Sequence, residues 1–286
     1  MKIFIYLIFL FLAECVSGQI PEIQWAKCFG GASTDKARSI IETTDGGFIA
    51  AGSTASDDGD VTDNHGSYDN WIIRFDSVGN IIWQNAFGGS SWDDGTSIIK
   101  CYDGNFIIAA NTWSEDGDVS FNHGERDWWI VKISGDGEIL WERSYGGSYT
   151  EYAYSIQQTV DSGFIICGYA GSNAGDIMGY HGYKDYWIIK TDSIGEIEWQ
   201  SCLGGTDYEY AYGITQTIDG GYFVCGNSLS DDGDVIGIDA IDNGNIWILK
   251  LSETGEIVWQ KDFGGTAQDY AYSIKSTPDG GSIIAG

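Results

Sequence analysis

Short runs of apolar and β-branched residues, separated by glycine turns, recur along the whole chain. The first complete unit holds two pairs of such runs, 39–43 with 48–52 and 71–75 with 80–83. Asp45-Gly46 lies between the first pair and Gly79 between the second, and both supply the positive φ angles that tight hairpin turns require. No stretch has helical periodicity, and the chain has 41 Gly but only 2 Pro. The pattern predicts an all-β protein with four strands in each unit.

The unit repeats with a nearly constant period. The tryptophan of its fourth run recurs at steps of 58, 58, 58 and 60 residues, as Trp25, Trp83, Trp141, Trp199 and Trp259. Paired glycines follow each tryptophan at the same steps, as Gly30-Gly31, Gly88-Gly89, Gly146-Gly147, Gly204-Gly205 and Gly264-Gly265. Four antiparallel strands in a unit of this length are typical of a β-propeller blade, with the surplus residues in one long loop at 53–70. A β-solenoid is the alternative, although its coils are normally much shorter.

The predicted β-propeller is one repeat domain over residues 19–286. Its complete units are approximately 32–89, 90–147, 148–205 and 206–265, and 266–286 is a partial unit. We expect residues 23–29 to form the lone fourth strand of another partial unit. Because the last unit has only its first two strands, we expect the native protein to continue past Gly286 and this chain to be a fragment.

The first 18 residues have the pattern of a signal peptide. Lys2 precedes the apolar run Ile3–Ala13, and Val16-Ser17-Gly18 offers small residues for cleavage. This run is shorter than the roughly 20 apolar residues that cross a bilayer. We therefore expect a secreted or cell-surface protein with no membrane insertion after cleavage; an uncleaved anchor and a lipoprotein cysteine at Cys15 are the alternatives.

The net charge of the chain excludes two classes of partner. The chain has 14 Lys and Arg against 42 Asp and Glu, a formal net charge of -28. Such a charge repels nucleic acid and anionic lipid, so neither is an expected partner.

The cysteines beyond the cleavage site occupy positions where other units carry small or apolar residues, as Cys167 and Cys225 match Ala51 and Ala109. We expect them to be free thiols that fill the core.

The motifs of the repeat resemble those of a known group of proteins. The first copies are Ile23-Gln24-Trp25, Phe29-Gly30-Gly31, Thr44-Asp45-Gly46-Gly47, Asp58-Gly59-Asp60-Val61, His65-Gly66 and Trp71-Ile72-Ile73. They are similar to the tryptophan and double-glycine repeat arrays of secreted bacterial proteins, which often carry a type IX secretion sorting domain. The resemblance covers residues 22–286 and implies a surface or adhesion module. The sorting domain itself is not part of this sequence.

Two repeated polar positions are candidates for chemistry. His65, His123 and His181 occupy one position, each followed four residues later by Asp, and a repeated pair of this kind predicts a loop-pinning contact. Acidic residues recur where the first strand of each unit begins, and in a propeller they would ring one mouth: Asp35, Asp93, Glu151, Glu209 and Asp269. A glycosidase needs two carboxylates in different environments, and a quasi-symmetric ring does not provide them. We expect no catalytic residues.

Two further sets are candidates for binding. The first set occupies loop or edge positions that are not aromatic in every unit, which suggests contact with a glycan or protein ligand: Trp92, Trp113, Trp128, Tyr149 and Tyr180. The second set places carboxylates on glycine-containing loops, as a Ca²⁺ site requires: Asp58, Asp60 and Asp69, and Asp116, Asp118 and Asp127. Aspartates that cap backbone N–H groups in a turn explain the second set equally well.

These observations favour a non-catalytic, exported scaffold for binding or adhesion. No phosphate-binding loop, zinc-spaced Cys or His pair, or nucleophile elbow is present in the sequence. A structural spacer in a longer surface protein, or a carbohydrate-active hydrolase or lyase, are the alternatives.

Overall fold

The computed structural model describes residues 22–237 and 244–286, so the predicted signal peptide lies outside the described residues. The described strands form four four-stranded sheets and one two-stranded sheet, each with its strands in chain order. All neighbouring strands are antiparallel. The predicted all-β class and the four strands of each unit are thus confirmed, and each sheet is one blade of a β-propeller array.

The strands of the blades are short and similar in length. The first blade contains β1 (Asp35–Glu42), β2 (Phe48–Thr54), β3 (Asp69–Phe75) and β4 (Ile81–Phe87). The second contains β5 (Asp93–Lys100), β6 (Phe106–Thr112), β7 (Asp127–Ile133) and β8 (Ile139–Tyr145). The third contains β9 (Tyr152–Gln158), β10 (Phe164–Ala170), β11 (Asp185–Thr191) and β12 (Ile197–Leu203). The fourth contains β13 (Glu209–Gln216), β14 (Tyr222–Ser228), β15 (Asn245–Leu251) and β16 (Ile257–Phe263), and β17 (Ser273–Ser276) and β18 (Ser282–Ala285) follow as a fifth sheet.

Both predicted hairpins form in each complete blade. In the first blade Gly46 has a φ of 79°, and the backbone N–H of Thr43 donates to the carbonyl of Gly47 across the turn. Gly79 has the same φ in the second hairpin, where Oδ1 of Asp76 accepts from the N–H groups of Val78 and Asn80. The glycines therefore occupy left-handed positions that side chains rarely adopt.

The hydrophobic core lies between neighbouring blades rather than inside one. Trp128 and Ile130 of the second blade pack against Trp187 and Ile189 of the third, and all four are buried. Because each blade is one sheet thick, the middle strands are apolar on both faces, and β10 and β14 are buried along their whole length.

The first strand of each blade faces the axis of the array. β1, β5, β9, β13 and β17 contact one another in that order. Residues from all five strands line one cavity of 270 Å³, which includes Ser39, Ser97, Ser155 and Ser273. The blades are therefore arranged around a central channel.

The segment before the first blade differs from the prediction. Residues 22–29 form no strand, so the expected lone fourth strand is not formed by this segment. Trp25 nevertheless packs edge-on against Phe75, and its Nε1 donates to the carbonyl of Ser77 at 2.9 Å. Trp83 makes the same contact one blade later, with Gly135. The segment therefore takes the place of a fourth strand without its hydrogen bonds.

The cysteines are free, as predicted, but not all of them fill the core. Cys101, Cys167, Cys202 and Cys225 are buried, whereas Cys28 is exposed. Burial raises the pKa of Cys101 to about 12, which keeps this thiol protonated and unreactive. Within the described residues, no helix is long and apolar enough to cross a membrane.

Candidate functional site

The aspartates of the long loops hold neighbouring segments together. Oδ1 of Asp116 accepts from the backbone N–H of Ser90 at 2.7 Å, and Oδ2 of Asp118 accepts from that of Gly88 at 3.1 Å. In the first blade, Asp58 and Asp60 make the equivalent bonds to Ala32 and Gly30. These carboxylates thus cap the double-glycine segment that joins one blade to the next.

The remaining two calcium candidates belong to the histidine contacts. Oδ2 of Asp69 accepts from the backbone N–H of His65 at 2.7 Å and lies 2.8 Å from its Nδ1. Asp127 has the same contacts with His123, so the predicted loop-pinning pair is confirmed. Among the described residues, no group of three or more His, Cys, Asp or Glu is placed to hold a metal ion. The structure therefore has the N–H capping arrangement that the sequence left open as the alternative to Ca²⁺.

The acidic residues at the start of the first strands do not form an open ring. Asp93, Glu151 and Glu209 are fully buried. Asp93 accepts from the N–H of Gly89 at 2.8 Å and from Oγ of Ser114 at 2.7 Å. Burial raises the pKa of all three carboxyls. The expectation that they ring one mouth is wrong for these three residues, because each lies at the junction of two blades.

Each of these junctions pairs two buried carboxyls over one glycine. A Cβ on Gly88 would lie 2.5 Å from Oδ2 of Asp93 and 2.9 Å from Oδ1 of Asp69. No side chain fits there, which explains the first glycine of the doublet. Burial also raises the pKa of Asp69, against the hydrogen bonds from His65. The pairs are structural features repeated at three junctions and are closed to a ligand.

The five aromatic candidates do not form a single site. Trp92 stacks on Tyr68 with ring centroids 4.5 Å apart, and its centroid is 5.7 Å from that of Trp113. Tyr149 is exposed on its own, and the hydroxyl of Tyr180 donates to the carbonyl of Tyr183. The prediction that Trp128 lies in a loop or at an edge is wrong, because this residue is in β7 and fully buried. Only Trp92 and Trp113 share one surface.

Two cations extend this surface across the next blades. The guanidinium carbon of Arg126 lies 3.4 Å from the ring centroid of Trp113 and 4.9 Å from that of Tyr152. Nζ of Lys184 lies 4.0 Å from the centroid of Tyr169. The rings of Tyr152 and Tyr169 stack with centroids 6.2 Å apart, so they connect the two cations. We call the resulting surface the aromatic–cation belt, and it consists of Trp92, Trp113, Arg126, Tyr152, Tyr169, Lys184 and Tyr210.

The belt lies where the blades meet, at the end at which the innermost strands begin. Tyr152 opens β9, and Arg126 and Lys184 immediately precede β7 and β11. Tyr68, Arg126 and Lys184 occupy one position of the repeat and form isolated parallel bridges to the residue that leads into the next blade. These backbone bridges fix the long side chains above the junctions.

The two belt cations lack carboxylate partners. Neither Arg126 nor Lys184 has an Asp or Glu oxygen within 4.0 Å among the described residues, whereas Arg74, Lys132 and Lys190 all do. Nε of Arg126 is buried and has no hydrogen-bond partner there. Burial lowers the pKa of Arg126, and both burial and the charge of Arg126 lower the pKa of Lys184. The belt thus holds two cations without a direct ion pair, although the Asp94 carboxylate interacts with Arg126 at longer range.

Sequence reasoning found Trp92 and Trp113 but missed the rest of the belt. One sequence signal for the belt lay at a single position of the repeat. This position is Tyr68, Arg126 or Lys184 in the first three blades, so its side chain changes strongly, whereas the next residue is Asp in all three. A second signal lay in Tyr152 and Tyr210, which replace Lys36 and Asp94 at the same position of the innermost strand.

Comparisons with known proteins give the fold alone. No protein-family model matches the chain, and no curated protein matches it. A thermostable family-43 glycoside hydrolase is similar at 12% identity, over 90% of this chain and 85% of its own, with a TM-score of 0.48. A protein of unknown function from Bacteroides caccae has 12% identity, coverage of 80% and 82%, and a TM-score of 0.34. The Neurospora crassa Pan2 WD40 domain has 10% identity, coverage of 87% and 85%, and a TM-score of 0.39.

Similarity at this level carries no argument about activity. The β-propeller class of the chain follows from its own sheets, their order and their arrangement around a channel. The resemblance to the secreted tryptophan and double-glycine arrays stays a prediction.

Proposed function

We propose that this chain is a non-catalytic, exported binding scaffold, and that the aromatic–cation belt is where it contacts its ligand. The observation that carries the proposal is the placement of Arg126 and Lys184 between aromatic rings with no carboxylate partner, in a chain with a net charge of -28. In such a chain a cation is surrounded by potential partners. Arg126 and Lys184 instead lie near each other against ring faces, an arrangement that leaves room for an acceptor from outside the chain.

The energetics of the belt support a binding role. Partly burying a cation costs free energy that an ion pair or hydrogen bonds normally offset. A ring face recovers about 0.5–2 kcal/mol of that cost. Arg126 has two ring faces but no acceptor for its buried Nε, so its stabilisation is incomplete. A ligand that supplies acceptors to the rest of the guanidinium group would add to it, while the buried Nε stays closed to a ligand.

The buried carboxyls favour binding over hydrolysis. A glycosidase needs a protonated acid and an ionised base or nucleophile on either side of one bond. The carboxyl pairs of this chain, such as Asp69 with Asp93, are fully buried and recur at successive junctions with similar partners. They hold blades together and leave no room for a substrate.

The proposal can be tested by ligand screening against matched variants. We expect ligands from a glycan and peptide array to bind the unmodified protein and to lose at least tenfold in affinity in Trp113→Ala and in Arg126→Ala. Lys261→Ala is the control, since Lys261 also lies over a tryptophan, Trp259, but outside the belt. Binding that survives both belt variants, or is lost equally in the control, would contradict the proposal.

A further inference from the structure

The belt combines two properties that together select a kind of ligand. Its cations are suited to pair with an anionic group, and its outer rings offer flat apolar surface. Trp92 is 37% exposed and Tyr208, which stacks 6.3 Å from Tyr210, is partly exposed, whereas Tyr152 and Tyr169 are buried. A pyranose ring has apolar C–H faces, and in uronates and sulfated sugars it also carries a negative charge. We propose that the belt binds an anionic glycan, with its carboxylate or sulfate at Arg126 and Lys184 and its sugar rings on the neighbouring aromatic side chains. This inference rests on the proposed function and names its ligand class.

The positive charges of the two cations interact with each other. They lie over Tyr152 and Tyr169, whose stacked rings have centroids 6.2 Å apart, and the charge of Arg126 lowers the pKa of Lys184. An anion between them would relieve this repulsion. It would also accept hydrogen bonds from the guanidinium, whose planar fork matches carboxylate and sulfate oxygens.

The charge of the whole chain limits the size of the anion. A net charge of -28 repels a long polyanion, whereas a single anionic group at the belt interacts mainly with charges within the screening length of about 8 Å at physiological salt. The Asp94 carboxylate, which interacts with Arg126, accepts a hydrogen bond from the hydroxyl of Tyr152 at 2.7 Å and lies 3.7 Å from Arg38. A glycan that carries isolated charges on uncharged rings therefore fits the belt better than a nucleic acid, whose backbone needs a continuous row of cations.

The test compares ligands that differ only in charge. Isothermal titration is carried out with a trisaccharide that has one uronate and two neutral rings, with its methyl ester, with a trisaccharide that carries one sulfate, with inorganic sulfate and with an oligothymidylate. We expect one of the two charged trisaccharides to bind at least tenfold more tightly than the methyl ester and than sulfate alone. Which of the two binds distinguishes a carboxylate-bearing from a sulfate-bearing ligand. We also expect the affinity to fall at least threefold when NaCl is raised from 0.1 to 0.5 M, because the ion pairs are screened.

Variants connect the binding to the belt. Lys184→Gln removes the charge and keeps the length of the side chain, so it should reduce affinity for the charged sugar at least fivefold and leave the methyl ester unaffected. Trp92→Ala should weaken both sugars, and Lys261→Ala should weaken neither. Equal binding of charged and esterified sugar, binding of sulfate alone as tight as that of the sugar, or tighter binding of oligothymidylate would each overturn the anionic-glycan inference.

The two proposals fail in different ways. An uncharged glycan or a peptide that binds and is lost in Trp113→Ala would overturn the anionic-glycan inference while the belt stays a binding site. Ligands whose affinity depends on no belt residue would overturn both.

Discussion

Nδ1 of His123 lies 2.6 Å from Oδ2 of Asp127, and the backbone N–H of His123 donates to the same oxygen at the same distance. Asp127 is fully buried, and burial raises the pKa of its carboxyl against these hydrogen bonds. The pair recurs as His65 with Asp69, but in the fourth blade the Asp position is Asn245 and no histidine is present in the chain beyond His181. The histidine and the acid are thus lost together, as expected if one compensates the buried charge of the other.

Replacing the histidine should therefore destabilise the fold. We expect His123→Ala to lower the free energy of unfolding by about 1–3 kcal/mol, because a buried carboxylate loses a hydrogen-bond partner. Urea denaturation followed by tryptophan fluorescence measures the change. Ligand binding at the belt should be unchanged in the folded variant, since His123 is not part of it.

The fourth blade suggests the control for this variant. Adding Asp127→Asn to His123→Ala removes the buried charge and places at this position the amide that the fourth blade has as Asn245. The Asn245 amide donates to Asp262. We expect the double variant to recover at least half of the lost stability. A double variant as unstable as the sum of the two single changes would show that the pair is not coupled.

The long-loop aspartates should stabilise the protein without calcium. Asp116→Ala leaves the N–H of Ser90 uncapped, so we expect a loss of about 1 kcal/mol that is the same in 2 mM calcium and in EDTA. Melting curves at matched ionic strength measure it. A site with a dissociation constant of about 10⁻⁴ M would instead add about 1.8 kcal/mol in about 2 mM calcium. A calcium-dependent rise in the midpoint that Asp116→Ala abolishes would establish a calcium site.

Features formed by residues close together in the chain could be predicted from the sequence. Hairpins at Asp45-Gly46 and Gly79 require only their own residues, and the repeat multiplies each of them. The His65–Asp69 contact is equally local, because it closes a loop of four residues. These features follow from turn chemistry and spacing, which do not depend on how blades pack.

Features that need the packing of blades were predicted poorly. The sequence next to Trp128 does not show that this residue is buried, because the ring that covers it, Trp187, belongs to the next blade. Asp93 and Glu151 are buried because a neighbouring blade covers the start of their strands. The belt joins Trp113, Arg126 and Lys184, whose proximity depends on the angle between blades and not on sequence spacing.

The buried acids should make stability depend on pH. Burial raises the pKa of Glu151, so the folded protein binds its proton more tightly than the unfolded chain does. The contribution of such a group is present below its unfolded pKa and is lost as pH rises through its folded pKa. We expect Glu151→Gln to reduce the loss of stability as pH rises above the ordinary pKa of 4.5, measured by melting over a range of pH on both sides of that value.

Asp161 provides the opposite case as a control. Hydrogen bonds from Lys190 and Thr159 outweigh its burial and lower the pKa of Asp161 to about 2. Its contribution is present above the unfolded pKa of about 3.9 and is lost as pH falls toward 2. Asp161→Asn should therefore lower the free energy of unfolding near neutral pH and leave it unchanged at a pH near 2. Parallel pH profiles for the two variants would contradict the assignment of Glu151 as a buried acid with a raised pKa.

The repeated tryptophan should matter more inside the array than at its first copy. Trp83 and Trp25 make matching contacts with the next blade, through the carbonyls of Gly135 and Ser77. Trp83 lies on a strand that is paired within the first blade, so its ring ties that blade to the second. Trp25 contacts the first blade only from a segment without strand hydrogen bonds.

We expect Trp83→Ala to lower the global free energy of unfolding by about 3 kcal/mol, at the low end of the range for buried tryptophan because its ring is partly exposed. Trp25→Ala should release the segment 22–29 and leave global stability nearly unchanged. Urea denaturation gives the first result, and faster amide hydrogen exchange confined to the contacts of that segment gives the second. Equal global losses in the two variants would show that the first segment is as much a part of the cooperative array as a complete strand.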